Sequence, residues 1–396
     1  VRIDVVCPYD LGRPGGVQGQ ALGLALAYAR RGCTVRLLAP GGPGPGQSPP
    51  GRPAQGAAPG QLAVIELGRA VGIRANGSVA PLAPQPSVLR RAYRVVCALP
   101  PDVLHLHEPL APGPTWAALL ARRRLPRTRA VGTFHRAGGE PYRFVAPLAR
   151  WALASLDQAV AVSPAAEATA RPVLGERPCP VLGNGVDLGR LERAEPAPSP
   201  ARPTVLFVGR HEPRKGLEVL LEAAELLGPS WPGTLWVVGE GPRTPELRRR
   251  YPPGPRRHWW GRVDDATLAG LLLGSQVVAV PALGGESFGV VVLEALAARS
   301  LPLCSDLPAF RAVAGPHARY VPPGDPRAWA AALRELTEAA RTGRPPLDPA
   351  SREAGAAWAA RFSFETLAEA YLERFEALRG DSRGASGGPG AAPRRA

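Results

Sequence analysis

Short apolar runs recur along the chain. Between them lie longer stretches in which apolar positions fall three and four residues apart. In the first half Ile3–Cys7, Thr34–Ala39, Ala63–Leu67, Val103–His107, Arg129–Thr133 and Gln158–Val162 read as strands, with helices predicted over Val17–Arg31 and Trp116–Arg123. In the second half Thr204–Val208, Leu235–Val238, Val277–Val280, Pro302–Cys304 and Tyr320–Val321 read as strands, with helices over Gly216–Leu227, Asp265–Leu273 and Phe288–Ala298. A repeated strand-then-helix order predicts parallel sheets with helices on both faces.

The rhythm breaks near mid-chain, where Ala194–Pro203 is rich in Pro and Ala. That break divides the chain into two Rossmann-like α/β domains, 1–188 and 204–362, joined by a linker over 189–203 and facing one cleft. Phe364–Arg379 has the pattern of a final amphipathic helix, and the segment 363–379 is expected to pack back on the first domain. Gly41–Gly60 reads as a flexible Gly/Pro/Gln-rich surface loop, and 380–396 as a disordered Gly/Ser/Arg tail.

Composition narrows the function classes. The chain has 396 residues and is 45% hydrophobic, enough for two ordinary cores. Its five cysteines are scattered with no C-x-x-C pair, which argues against a disulfide scaffold and a zinc site. No apolar stretch is long enough to span a bilayer. The first residues form a strand-like run rather than a signal peptide, so a cytoplasmic location is expected. A formal charge of +15 favours anionic partners. Nearly all of the basic residues are arginine: the single lysine is Lys215, and the two asparagines are Asn76 and Asn184. Codon bias in a G+C-rich genome accounts for that skew, and it makes the surviving Lys and Asn positions worth locating.

Three segments carry candidate chemistry. Pro14-Gly15-Gly16-Val17-Gln18 joins the first strand to the first helix, where glycines admit a ligand to the backbone and the helix N-terminus favours phosphate. Gly209-Arg210-His211-Glu212-Pro213-Arg214-Lys215-Gly216 follows the first strand of the second domain, the edge at which parallel sheets bind ligands. Arg210 and Lys215 there can neutralise a diphosphate. In Gly284-Gly285-Glu286-Ser287-Phe288-Gly289-Val290-Val291-Val292-Leu293-Glu294 a Gly pair precedes a helix, and the two carboxylates lie roughly 12 Å apart along it at 1.5 Å per residue. That spacing is too wide for a glycosidase pair. It suits contacts to two parts of one long ligand, whose sugar and ribose hydroxyls carboxylates accept well.

Together these segments resemble a retaining glycosyltransferase of the GT-B fold, family 4 type. Cys7-Pro8-Tyr9, Asn76-Gly77-Ser78-Val79, His105-Leu106-His107-Glu108-Pro109, Thr133-Phe134-His135, Ala161-Val162-Ser163 and Asn184-Gly185-Val186-Asp187 bring the resemblance closer to the actinobacterial phosphatidylinositol α-mannosyltransferases, from Val1 to about Arg379. The resemblance implies a donor site in the second domain. Arg210 and Lys215, with the Gly16 backbone, would bind the diphosphate, and Glu294 the ribose. Glu286 and the N–H groups of Ser287, Phe288 and Gly289 would hold the hexose. Val263 and Asp265 would contact the base, an Asp there favouring GDP-mannose over a UDP donor. His135 would meet the transferred sugar, so that His135, Arg210, Lys215 and Glu286 carry catalysis. Tyr9, Gln18 and Asn76 match positions facing the inositol headgroup.

Some positions depart from that family. Pro81 and Ala83 stand where it carries arginines, Leu110 replaces an Asn, and Arg136 replaces a Thr and could restore a phosphate contact. Over Ser87–Leu99, with Ser87 as helix cap, Arg90, Arg91 and Arg94 share a basic face, with Leu89, Val95, Val96 and Leu99 as apolar surface; the family's matching helix docks on anionic lipid. The resemblance thus implies peripheral attachment to the inner membrane face, a nucleotide-sugar donor and a phosphoinositide-type acceptor. No tightly bound metal is expected, Mg2+ acting as a stimulant at most. His105 and His107 are spaced like a metal pair but sit within a strand. Two alternatives stand beside this reading. One is a different sugar donor with a soluble acceptor such as inositol phosphate. The other is an arginine-rich nucleic-acid binder, for which charge is the sole support, since no helix-turn-helix or aromatic-basic pattern is present.

Overall fold

The structure, a computed structural model, describes residues 1–13, 15–42, 59–75, 78–138, 146–198, 203–341 and 348–384. Asn76, the Gly/Pro-rich stretch 43–58 and the terminal residues 385–396 lie outside the described residues.

The first sheet contains β1 (Arg2–Val6), β2 (Thr34–Ala39), β3 (Leu62–Glu66), β6 (Val103–His107), β7 (Arg129–Phe134) and β8 (Gln158–Ala161). These strands are parallel throughout, in the order β3-β2-β1-β6-β7-β8. The second sheet repeats the plan with β9 (Thr204–Val208), β10 (Thr234–Val238), β11 (Arg257–Gly261), β12 (Val277–Val280), β13 (Leu301–Ser305) and β14 (Arg319–Val321), ordered β11-β10-β9-β12-β13-β14. Each sheet separates two apolar cores, one on each face. The expected two-domain α/β architecture is therefore what the chain forms.

Three strands have no counterpart in the apolar pattern. β4 (Val71–Ala75) and β5 (Ser78–Leu82) form an antiparallel hairpin whose strands are joined by Asn76-Gly77. Asn-Gly between short strands is itself a hairpin signal. β11 alternates half-buried and exposed residues in Arg257-His258-Trp259-Trp260, so it shows no apolar run.

After the second domain closes, helix Pro349–Ala360 packs on it, with the Trp358 indole donating to the Val313 carbonyl at 2.7 Å. The chain then crosses back. Val186 and Ser363 pair in a short parallel bridge, and helix Phe364–Gly384 lies on the first domain with Phe364, Leu367, Ala368, Tyr371 and Phe375 in its core. Phe364 sits so close to Gly23 and Gly185 that a Cβ at either would overlap its ring. The helix runs beyond Arg379 to Gly384, into the stretch expected to be a disordered tail.

Candidate active site

In parallel sheets all C-terminal strand ends share one edge, and ligand loops collect there. The two sheets turn those edges toward one another. The loops after β1, β7, β9 and β12 together bound a cleft of about 640 Å³. Its lining includes Gly16, His135, Arg136 and Asn184 on one side and Lys215, Glu286, Ser287, Phe288 and Gly289 on the other.

The second-domain wall depends on backbone shapes available to glycine. After β9 the chain tightens into a 3₁₀ turn, Pro213–Lys215, and Gly216 follows in the left-handed region at φ 68°. A Cβ at Gly216 would collide with the Pro281 carbonyl, so only glycine lets this turn press against the end of β12. The turn delivers Arg214 and Lys215 together. The Glu286 carboxylate accepts from Lys215 Nζ at 2.7 Å and from Arg214 at 2.9 Å through the same oxygen. Glu286 itself sits on a loop with Gly285 at φ 68°, ahead of helix Val290–Ala297, which Gly289 caps at φ 104°. The first N–H groups of that helix lack intrahelical acceptors and face the same space.

Arg214, not singled out in the sequence, lines the cleft beside Lys215, whereas Arg210 is not among the lining residues and pairs with the buried Glu212 at 3.1 Å. Glu212 also holds Arg214, at 3.3 Å. Which arginine of the loop reaches the cleft is decided by this turn and by Glu212, neither of which the spacing of charges reveals.

Glu294, on helix Val290–Ala297, is not among the residues lining the cleft, and Arg190 donates to it at 2.7 Å. Arg190 also stands 3.7 Å from Asp265, so one guanidinium links the expected ribose and base positions. Burial works against the charge on Arg190, but Glu294 and the acids around it overcome that and raise its pKa. Arg190 belongs to the short helix Leu188–Glu192, which Asp187 caps by accepting from the Arg190 N–H. Val263 is half-buried against the second domain's core, and Asp264 rather than Asp265 caps the helix that follows.

On the first-domain wall, Gly16 opens helix Gly16–Arg30, and a Cβ there would meet no atom within 4 Å. The backbone at this position is therefore open to a ligand. His135 follows β7. Its backbone N–H and that of Arg136 both donate to the buried Glu108 carboxylate at 3.0 Å, and its Nε2 pairs with His107 Nδ1 at 2.9 Å. Burial lowers the His135 pKa to about 3, against a smaller upward pull from Asn184. The ring is thus neutral at physiological pH and offers hydrogen-bonding groups rather than a charge. His105 and His107 are both engaged in side-chain hydrogen bonds. His105 bonds to Tyr28 at 3.1 Å and to Thr133 at 2.8 Å, and His107 to His135.

The acceptor-side candidates stand in different surroundings. Arg136 lines the cleft beside His135. Gln18 is buried, and its amide donates to the Asp10 and Arg13 carbonyls, which makes it a brace for the loop after β1. Tyr9 forms a bridge to Leu82 of the hairpin, and burial raises its pKa. Of the departures from the family pattern, Ala83 and Leu110 are buried in the first domain's core and Pro81 pairs with Gly72 in the hairpin, whereas Arg136 lines the cleft.

On helix Pro86–Ala98 the cap is Gln85, with Pro86 at the first helical position. The fixed φ of proline sets the start there, so Ser87 falls inside the first turn. Arg90, Arg91 and Arg94 are exposed, whereas Val96 is fully buried and Leu89 and Val95 pack against the core. The outward face is basic, and most of the apolar residues read as surface are spent on the fold. Among the described residues no helix is long and apolar enough to cross a membrane.

Residues 14–190 match the family described as Glycosyltransferase Family 4, and residues 202–339 the one described as Glycosyl transferases group 1. The phosphatidyl-myo-inositol mannosyltransferase of Mycobacterium leprae is 37% identical over 347 residues, covering 85% of this chain and 87% of its own length. The protein of that name from Propionibacterium freudenreichii is 35% identical, covering 78% of each chain. A D-inositol 3-phosphate glycosyltransferase from Segniliparus rotundus is 32% identical over 218 residues, covering 50% of this chain and 47% of its own. Among solved structures, a glycosyltransferase from Rickettsia africae superposes with a TM-score of 0.72 at 18% identity over 95% of this chain and 98% of that one. Anabaena HepE in complex with UDP gives 0.68 at 16% identity over 96% and 100%. The two solved structures share the fold, two parallel-sheet domains of the GT-B type.

Proposed function

The chain belongs to glycosyltransferase family 4, and from that premise we propose that it moves mannose from GDP-mannose to the inositol ring of phosphatidylinositol, with retention, at the cytoplasmic face of the membrane. The observation that carries this reading is the cleft itself. It sets two cations, a carboxylate and a helix N-terminus from one domain opposite a neutral histidine and an open glycine backbone from the other. That is the complement of a sugar diphosphate: positive charge for the leaving group, paired acceptors and donors for the hydroxyls.

In the proposed reaction Lys215, Arg214 and the N-terminus of helix Val290–Ala297 stabilise charge as it develops on the departing diphosphate, and this electrostatic term is the main source of rate. The leaving phosphate oxygen takes the acceptor hydroxyl's proton on the face that the diphosphate leaves. Glu294 holds the ribose once Arg190 shares it, and Asp265 meets the guanine edge. Glu286 turns from its two cations to the hexose as the diphosphate displaces it. Arg90, Arg91 and Arg94 hold the enzyme on anionic lipid, each contributing about 1 kcal/mol near such a surface.

A second reading, transfer to a soluble inositol phosphate, is favoured by one feature: Arg136, whose Nε donates to the Gly138 carbonyl at 3.3 Å, lines the cleft, where its charge would favour a free phosphate. A radiolabelled donor assay separates the two. GDP-mannose with phosphatidylinositol should give a mannosylated lipid. Label appearing only in a water-soluble product with inositol phosphate supports the second reading, and failure of every sugar nucleotide to raise the melting temperature overturns both. Repeating the assay with EDTA and with added Mg2+ tests for metal stimulation.

A further inference from the structure

His135 is held from two sides. Glu108 accepts both backbone N–H bonds at the start of its loop, and the ring lies against His107 with centroids 5.1 Å apart and planes 23° apart. The single hydrogen bond between the rings, His107 Nδ1 to His135 Nε2 at 2.9 Å, needs one donor and one acceptor. Each ring is neutral, because burial lowers both pKa values well below the ordinary histidine range. Each therefore carries one ring proton.

The partner geometry of His107 decides where those protons are. Its Nε2 is buried and has no hydrogen-bond partner. A proton on Nε2 would bury an N–H with no acceptor, the rarer and costlier defect, and would leave Nδ1 as the acceptor. A proton on Nδ1 supplies the donor for the bond to His135 and leaves only a lone pair unmatched. His135 Nε2 is then the acceptor, and the His135 proton must sit on Nδ1, the one ring nitrogen still available to a ligand.

We propose that His107 is a positioning residue that fixes His135 as its Nδ1–H tautomer, so that His135 presents a hydrogen-bond donor, never an acceptor, to the bound hexose. The neighbouring Asn184 side chain supplies the complement: it lies against the His135 ring and raises its pKa, and its carbonyl oxygen, buried in the cleft wall, has no well-aligned hydrogen bond. A sugar hydroxyl both accepts and donates, and it fits between that N–H and that oxygen. The choice of tautomer is set by what the second nitrogen bonds to, which here lies one strand away, in β6.

This assignment rests on the reading that a hexose occupies the cleft, but it has a readout of its own. In the full-length protein labelled with 15N-histidine, long-range 15N–1H correlation should show both His107 and His135 as Nδ1–H tautomers. His107→Asn, whose amide can still donate from the Nδ1 position, should keep the His135 tautomer and most of the transferase turnover. His107→Leu, with folding checked by circular dichroism, should mix the His135 tautomers. It should also lower kcat for mannosyl transfer about 10- to 100-fold at nearly unchanged KM for GDP-mannose. An Nε2–H tautomer for wild-type His135, or an unchanged kcat in a folded His107→Leu protein whose His135 tautomers are mixed, overturns the proposal. Absence of mannosyl transfer in the wild type, with the tautomers as assigned, would count against the mannosyltransferase reading alone.

Discussion

At the scale of single residues, the donor site is occupied by its own counter-charges. Glu286 binds Arg214 and Lys215 through one oxygen and so stands where a phosphate would. This makes opposite expectations for two substitutions. Lys215→Ala should lower turnover strongly, by roughly 100-fold or more for the loss of a charge acting on the leaving group, with little change in melting temperature. Wild-type rates in that variant would remove Lys215 from the diphosphate role. Glu286→Gln frees both cations, so GDP should bind more tightly than to the wild type while sugar transfer falls. Isothermal titration with GDP alongside turnover with GDP-mannose tests the pair, and weaker GDP binding would show that Glu286 does not compete with phosphate. Lys215 and Glu286 were legible in the sequence because each stands in a glycine-flanked loop of a parallel sheet, and because the only lysine of the chain falls there. Arg214, Arg190, Glu212 and His107 were not. Their roles come from which partner each side chain reaches, and that depends on a 3₁₀ turn, a short capped helix and a neighbouring strand.

Elements show the same division. Strands buried on both faces were legible almost to the residue, since their runs are mostly apolar, with His105 and His107 of β6 set inside such a run. The hairpin β4–β5 carries no such run, and neither does the edge strand β11, which is only partly buried. Helix Pro86–Ala98 was legible as a helix, but its orientation needed the structure: Val88, Ala92 and Val96 form the buried stripe, which leaves Arg90, Arg91 and Arg94 outward. With little apolar surface left on that face, its attraction to a membrane should be electrostatic. Replacing the three arginines with serine should abolish most co-sedimentation with vesicles containing anionic lipid and leave melting unchanged, because exposed charges contribute little to the fold. Wild-type binding should itself weaken steeply as salt is raised from 0.05 to 0.5 M, as roughly a Debye length of screening closes in. Sedimentation that ignores both the substitution and the salt would place the membrane contact elsewhere.

At the scale of the whole molecule, the final helix and the buried histidines belong to one construction. Tyr371 of helix Phe364–Gly384 hydrogen-bonds Thr133 at 2.9 Å, Thr133 bonds His105, and the His105 ring lies 4.5 Å from that of Tyr371. The chain's return from the second domain thus seals a row of imidazoles in the first. Burial holds His105 and His135 at a pKa of about 3 and His107 well below the ordinary range, and in the second domain it brings His211 to about 4. Unfolded, each would titrate near 6.5. As pH falls from 6.5 the unfolded chain takes up protons that the folded chain refuses, so stability is lost on acidification, at about 1.4 kcal/mol per pH unit for each fully excluded histidine. Asp4 works the other way. Its burial beside Arg36 raises its pKa to about 6, so the folded state takes that proton first, offsetting one histidine at most. The denaturation midpoint in urea should therefore fall steadily between pH 6.5 and 4.5, before ordinary carboxylates titrate. His105→Gln should flatten that slope by about one proton's worth, even if the variant is less stable at pH 7. A midpoint that stays level or rises across this window would mean that the imidazoles admit protons in the folded state, and that the seal made by the last helix is not closed.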